Sequence, residues 1–194
     1  MRAGRRLSHA ISEGDGISLL AVVDDPSAAR AAEEAGAEGI VVTGAPAALR
    51  EATELPILWT SDRIEAAAGA DACVVAAEGL DDDDEGRFEA LLADGARAGL
   101  EWVVAVADED ELRLALDRLD PEILLLSARA ARDEEALEHV LGLLPDVPAG
   151  KLAIAELAVR SREEIVELER AGVDAVVVRA EDVARLAGDL QPQP

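Results

Sequence analysis

KLAIAELAVRSREEIVELERAGVDAVVVR, residues 151–179, is the stretch whose reading decides the fold. Two short apolar runs, LAIAE (152–156) and AVVVR (175–179), flank a charged segment, REEIVELERAG (162–172), in which apolar residues recur three and four positions apart. That spacing predicts a helix between two strands. Nearly continuous apolar strands on either side of a helix predict parallel pairing with both sheet faces covered. Glu156 closes the first of these strands, and a carboxylate there is costly unless it has a partner or a task.

The same alternation extends through the chain. Strands are expected at ISLLAVVD (17–24), GIVVT (39–43), PILWT (56–60), ACVVA (72–76), WVVAVA (102–107), EILLLS (122–127), LAIAE and AVVVR. Helical segments are expected at 26–36, 45–53, 62–70, 85–99, 108–119, 133–144, 162–172 and 181–190. Several open on Pro, Ser or Asp and end on Gly, the usual start and stop chemistry. Eight β/α units in one chain predict a compact (β/α)8 TIM barrel, for which about 200 residues is the lower limit. The alternative is an open doubly wound sheet, but no G-x-G-x-x-G follows the first strand. The reading is one domain, residues 1–194, with an N-terminal extension over 1–16 and a C-terminal tail over 189–194. AGAEGIVV, AGADACVV and AGVDAVVV repeat one helix-to-strand turn three times, and this belongs to the scaffold.

Composition narrows the function. The chain carries 42 Asp and Glu against 18 Lys and Arg, a net charge of -24, so nucleic acid and anionic membranes are expected to be poor partners. Aromatic residues make up 2%, which leaves the core to Ala, Val, Leu and Ile. MRAGRR is followed by LSHAISEGDG in place of an apolar signal segment, and no apolar run approaches the roughly 18 residues of a membrane span. One cysteine, Cys73, and two distant histidines offer neither a disulfide nor a metal cluster. These features predict a soluble, cytoplasmic protein needing no metal and no cofactor.

With the units placed, the second half resembles the indole-3-glycerol-phosphate synthase family, barrels of tryptophan biosynthesis that decarboxylate and close a phosphorylated anthranilate derivative. The likeness rests on GLEWVVAVADEDELRLAL (99–116), EILLLSARA (122–130) and KLAIAELAVRSREEIVELERAGVDAVVVRAEDV (151–183), with weaker matches at ISLLAVVD, LPILWTSD and AGADACVV. Carried over by position, the resemblance implies many replaced site residues. The first strand's Glu-x-Lys corresponds to Val22 and Asp24, and the third strand's Lys-Asp, whose lysine is the general acid, to Thr60 and Ser61. The fifth strand's catalytic glutamate corresponds to Ala105. Asn-x-Arg on the sixth strand becomes Ser127 and Arg129, so the arginine stays. Glu-Ser-Gly on the seventh becomes Glu156, Leu157 and Ala158, so the glutamate stays. The phosphate-binding glycine after the eighth strand corresponds to Arg179.

Active sites of this fold lie at the C-terminal ends of the strands. Glu156 is therefore the candidate catalytic residue, and Arg129, Arg179, Ser127, Asp24 and Thr60 are candidate ligand contacts, beside Thr43, Ser61, Glu78 and Asp108. Arg129, Glu156 and Arg179 follow one another on strands six to eight. They fit a structural ion-pair triad, or an anion site in which Arg179 replaces the lost glycine cradle; acid or base chemistry by Glu156 is the third option. DDDD (81–84) reads as a solvated loop, Cys73 as a core thiol, and His9 and His139 as surface residues. Trp59 and Trp102 either line a pocket or pack beneath the helices.

Three functions fit. The first is a degenerate paralogue that binds a small anionic metabolite or a protein partner. The second is an active carbon-carbon lyase or altered enzyme acting on a small anionic or phosphorylated metabolite. The third is a salt-adapted scaffold without a ligand. A net charge of -24 repels itself, and salt screens that repulsion. The unfolding midpoint is accordingly expected to rise between low and roughly physiological ionic strength, where the screening length falls to about 8 Å. Thermal melts across a potassium chloride series measure it.

Overall fold

The apolar runs become strands because each can be buried on both faces at once. The computed structural model describes residues 5–14, 16–61, 66–80 and 85–188. Its strands are β1 (Ser18–Val22), β2 (Gly39–Val42), β3 (Ile57–Trp59), β4 (Ala72–Ala76), β5 (Glu101–Val106), β6 (Ile123–Ser127), β7 (Leu152–Glu156) and β8 (Ala175–Arg179). All pair in parallel and in chain order, and β8 returns to β1 to close the barrel. The eight expected strands match these within one or two residues.

Helix α1 (Arg6–Glu13) precedes the barrel, and α2 (Pro26–Glu34), α3 (Pro46–Arg50), α4 (Glu85–Ala98), α5 (Glu109–Leu119), α6 (Ala136–Leu143), α7 (Arg162–Ala171) and α8 (Val183–Ala187) surround it. Helix α6 begins three residues later than expected, after a turn at 133–135, and a 3-10 turn occupies 180–182 before α8. The helix expected at 62–70 falls partly on residues 62–65, outside the described residues, as do DDDD (81–84) and the tail at 189–194.

Alternation along the strands divides the core in two. One set, including Leu20, Leu58, Val103, Ile123, Ile154 and Val177, fills the barrel interior. The other, including Ile40, Trp59, Val104, Leu124 and Val176, faces the helices. Both tryptophans belong to the outer layer: Trp59 is buried there and Trp102 packs against it. A Cβ at Gly95 of α4 would collide with the Trp102 ring, so the absence of one lets α4 lie directly on the indole.

The repeated turn has a physical purpose. Gly69 and Gly172 adopt φ 92° and 101°, which favours glycine, and reverse the chain into the next strand. The Asp two residues later then reaches the preceding strand. Asp71 Oδ2 accepts from Ile57 N at 2.9 Å, and Asp174 Oδ2 accepts from Ala153 N at 2.7 Å. Each satisfies the first free amide of its neighbour strand.

The segment assigned to an extension at 1–16 contains a part of the core. Leu7 is fully buried and Ile11 nearly so, and both belong to the barrel interior. Helix α1 is held at the N-terminal end by Glu101 at the start of β5, whose Oε1 accepts from Leu7 N at 2.7 Å and whose Oε2 accepts from Ser8 N at 3.2 Å. A carboxylate facing the free amides of a helix start also complements the helix dipole. Arg6 and Arg5 add ion pairs to Asp71 and Glu122.

Burial pushes the Asp174 carboxyl above its ordinary value, against the opposing pull of the Ala153 amide. A raised carboxyl binds its proton more tightly in the folded chain, so this group removes stability as pH rises from the unfolded carboxyl's range through the folded one. Asp174→Asn keeps an acceptor without the ionisation. The variant is expected to equal or exceed the parent in stability at neutral pH and to lose that advantage in acid. Urea titrations at acid and neutral pH measure the difference.

Candidate functional site

The inward positions at the C-terminal strand ends are set by the same alternation that fills the interior. Ile154 and Val177 point inward, so Glu156 and Arg179, two residues further along their strands, open onto the mouth. Val22 of β1 lies in register with Arg179. Ala105 on β5 is in register with Leu125, and Ser127 lies two residues further along β6; both are buried.

Glu156 is half-buried and accepts the Ser127 hydroxyl on Oε2 at 2.7 Å. The two are register partners, Ser127 opposite Glu156. Among the described residues Glu156 has no arginine partner. Arg129 turns away from the mouth: its Nη2 lies 2.7 Å from both carboxylate oxygens of Glu111 on α5 and 3.5 Å from Glu78. Arg179 is exposed, and its side chain forms no hydrogen bond or ion pair among the described residues. The expected triad therefore does not form, because Glu111 captures Arg129 and the serine supplies the hydrogen bond to Glu156.

The remaining candidates divide between mouth and rim. Thr60 is half-buried at the end of β3, and its hydroxyl donates to the Val42 carbonyl at 3.2 Å. Asp24 and Thr43 are exposed at the rim. Asp108 caps α5, accepting from Glu111 N at 2.8 Å, and so belongs to the helix start. His139 is not a free surface residue: it is half-buried, with Nε2 2.6 Å from the Ala107 carbonyl. Among the described residues no three His, Cys, Asp or Glu side chains converge as a metal site, and no helix is long and apolar enough to cross a membrane.

Glu111 was the residue missed in the sequence, although its signal was present. D-x-x-E at 108–111 is a helix-start pattern, and Glu111 Oε2 reaches back to Ala107 N at 2.7 Å. Ser161 and Glu164 repeat it on α7, where Glu164 Oε2 accepts from Arg160 N at 2.6 Å. The pattern fixes Glu111 beside the β5–α5 turn, within reach of the turn after β6.

A profile of indole-3-glycerol phosphate synthase matches residues 60–184, the region from the end of β3 through α8. The chain belongs to the indole-3-glycerol phosphate synthase family. It is 34% identical over 139 residues to the enzyme of that name from Acidithiobacillus ferrooxidans, an alignment covering 68% of this chain and 52% of the relative. It is 33% identical over 137 residues to the Variovorax paradoxus synthase, covering 66% and 50%, and 29% identical over 168 residues to that of a Geobacillus species, covering 77% and 64%. The chain thus spans about half the length of the first two relatives.

The β7–α7 turn runs over residues 157–161. Leu157 and Val159 pack against the outer core, and Ser161 Oγ caps α7. The single lysine of the chain, Lys151, lies before β7 at the N-terminal end of the barrel, 2.6 Å from Asp120 and 2.8 Å from the Pro121 carbonyl. The mouth contains none.

The two arginines should separate by experiment. Arg129→Ala is expected to cost about 0.5–1.5 kcal/mol, since it removes a close pairing with the half-buried Glu111. Arg179→Ala is expected to stay within about 0.5 kcal/mol of the parent. A double-mutant cycle with Glu111→Ala, read by denaturant unfolding, should place the coupling on Arg129 alone.

Proposed function

We propose that this chain is a catalytically degenerate member of the synthase family, in which the barrel persists as a binding or assembly module. The observation that carries the reading is Lys151. The family reaction calls for a lysine at the third strand, and this chain's only lysine is tied to Asp120 at the opposite end of the barrel. Thr60, in the lysine's place, has a hydroxyl that donates no proton as an acid at neutral pH. Arginine does not replace it, because a guanidinium stays charged under all ordinary conditions. Ala105 removes the partner carboxylate of the fifth strand. General acid and base groups commonly contribute about 100- to 10,000-fold each, so losing both at once supports the reading. A cytoplasmic setting and a role beside the tryptophan pathway belong to the same proposal.

A second reading is an altered enzyme acting on a small anionic or phosphorylated metabolite. It is favoured by Arg179, an exposed guanidinium without a partner among the described residues. The test is a turnover assay of the purified chain with the family's phosphorylated anthranilate substrate, following the indole chromophore. No rate above the protein-free control is expected. Turnover abolished by Glu156→Gln would overturn the degenerate reading and establish Glu156 as a working carboxylate.

A further inference from the structure

The mouth holds two opposite charges that do not meet. Glu156 and Val177 are register partners, and Arg179 stands two residues beyond Val177 on the adjoining strand. With strands about 4.8 Å apart and a rise of about 3.3 Å per residue, the two Cα atoms are separated by about 8 Å. No ion pair joins the side chains. Glu156 commits Oε2 to Ser127 and leaves Oε1 without a partner among the described residues. The Arg179 guanidinium has no partner among the described residues. Between β8 and β2, in register with Arg179, lies Val22, whose 38% exposure makes it the exposed large hydrophobic side chain among the described residues.

From these observations we infer that the mouth binds a small zwitterion, a free α-amino acid with an apolar side chain. Its ammonium meets Glu156 Oε1, its carboxylate meets the Arg179 fork, and its side chain covers Val22. Two charge-assisted hydrogen bonds of about 2.8 Å each, together with the short span from ammonium to carboxylate, bridge a gap that the protein's own side chains leave open. A phosphate dianion suits the site less well. It satisfies Arg179 alone while facing the Glu156 carboxylate. A zwitterion adds no net charge to a chain that already carries -24. The inference rests on the reading of the mouth as a binding site relieved of synthase chemistry.

Isothermal titration calorimetry on the full chain tests it, with L-leucine, 4-methylpentanoate, isoamylamine and inorganic phosphate as probes. Saturable leucine binding is expected. Removal of either charged group from the ligand should weaken binding about ten-fold or more, as should Glu156→Gln or Arg179→Ala. Glu156→Gln preserves the acceptor for Ser127, and circular dichroism melts verify that both variants are folded. Three outcomes overturn the inference: no leucine binding at millimolar ligand, leucine binding unchanged in both folded variants, or phosphate bound more tightly than leucine. Synthase turnover in the separate assay would sink the degenerate reading by itself, so the two failures are distinguishable.

Discussion

Closure of the barrel between β8 and β1 is the constraint on which the rest depends. Strands of three to six residues cannot stand as an open sheet of this width without exposing an edge, and the five-residue pairing from Ser18 with Ala175 to Val22 with Arg179 removes the edge altogether. Closure in turn fixes which residues point inward. With almost no aromatic residues in the chain, the interior is filled by aliphatic side chains, Ala72, Ala105 and Ala175 among them. The last inward residues of the strands, among them Val22, Ser127, Glu156 and Arg179, then line the mouth.

That geometry explains how the Glu156 carboxylate is accommodated. Glu156 is placed by β7, and a serine one strand away supplies the hydrogen bond that burial demands. The arrangement needs no counter-ion among the described residues, because Glu156 is only partly buried. Arg129 is then left to stitch the turn after β6 to the start of α5.

Much of the fold was legible in the sequence. Apolar runs buried on both faces leave a strong signal, and the glycine-ended turns mark where each strand begins. Helix α1 was less visible because only Leu7 and Ile11 anchor it, and the feature that holds it, Glu101, lies far along the chain in what reads as the start of an ordinary strand. The site was legible in position and not in pairing. Sequence order put Arg129, Glu156 and Arg179 on adjacent strands, but a long flexible guanidinium goes to whichever carboxylate is nearest in space. Glu111 is nearest, and its helix-start pattern was the clue to it. His139 was misread for a related reason: periodicity places it on the outer side of α6, while the turn after β5 folds over it.

The docking of α1 bears on how the chain folds in time. Leu7 and Glu101 are bonded although 94 residues separate them, so α1 cannot reach this place until β5 exists to receive it. Until then the bottom of the interior lacks its Leu7 filling, and the early strands have only each other. Contacts of such long separation are paid for in loop entropy before they return any stability, which slows folding. Docking of α1 thus depends on one of the long-separation contacts that such folding must wait for.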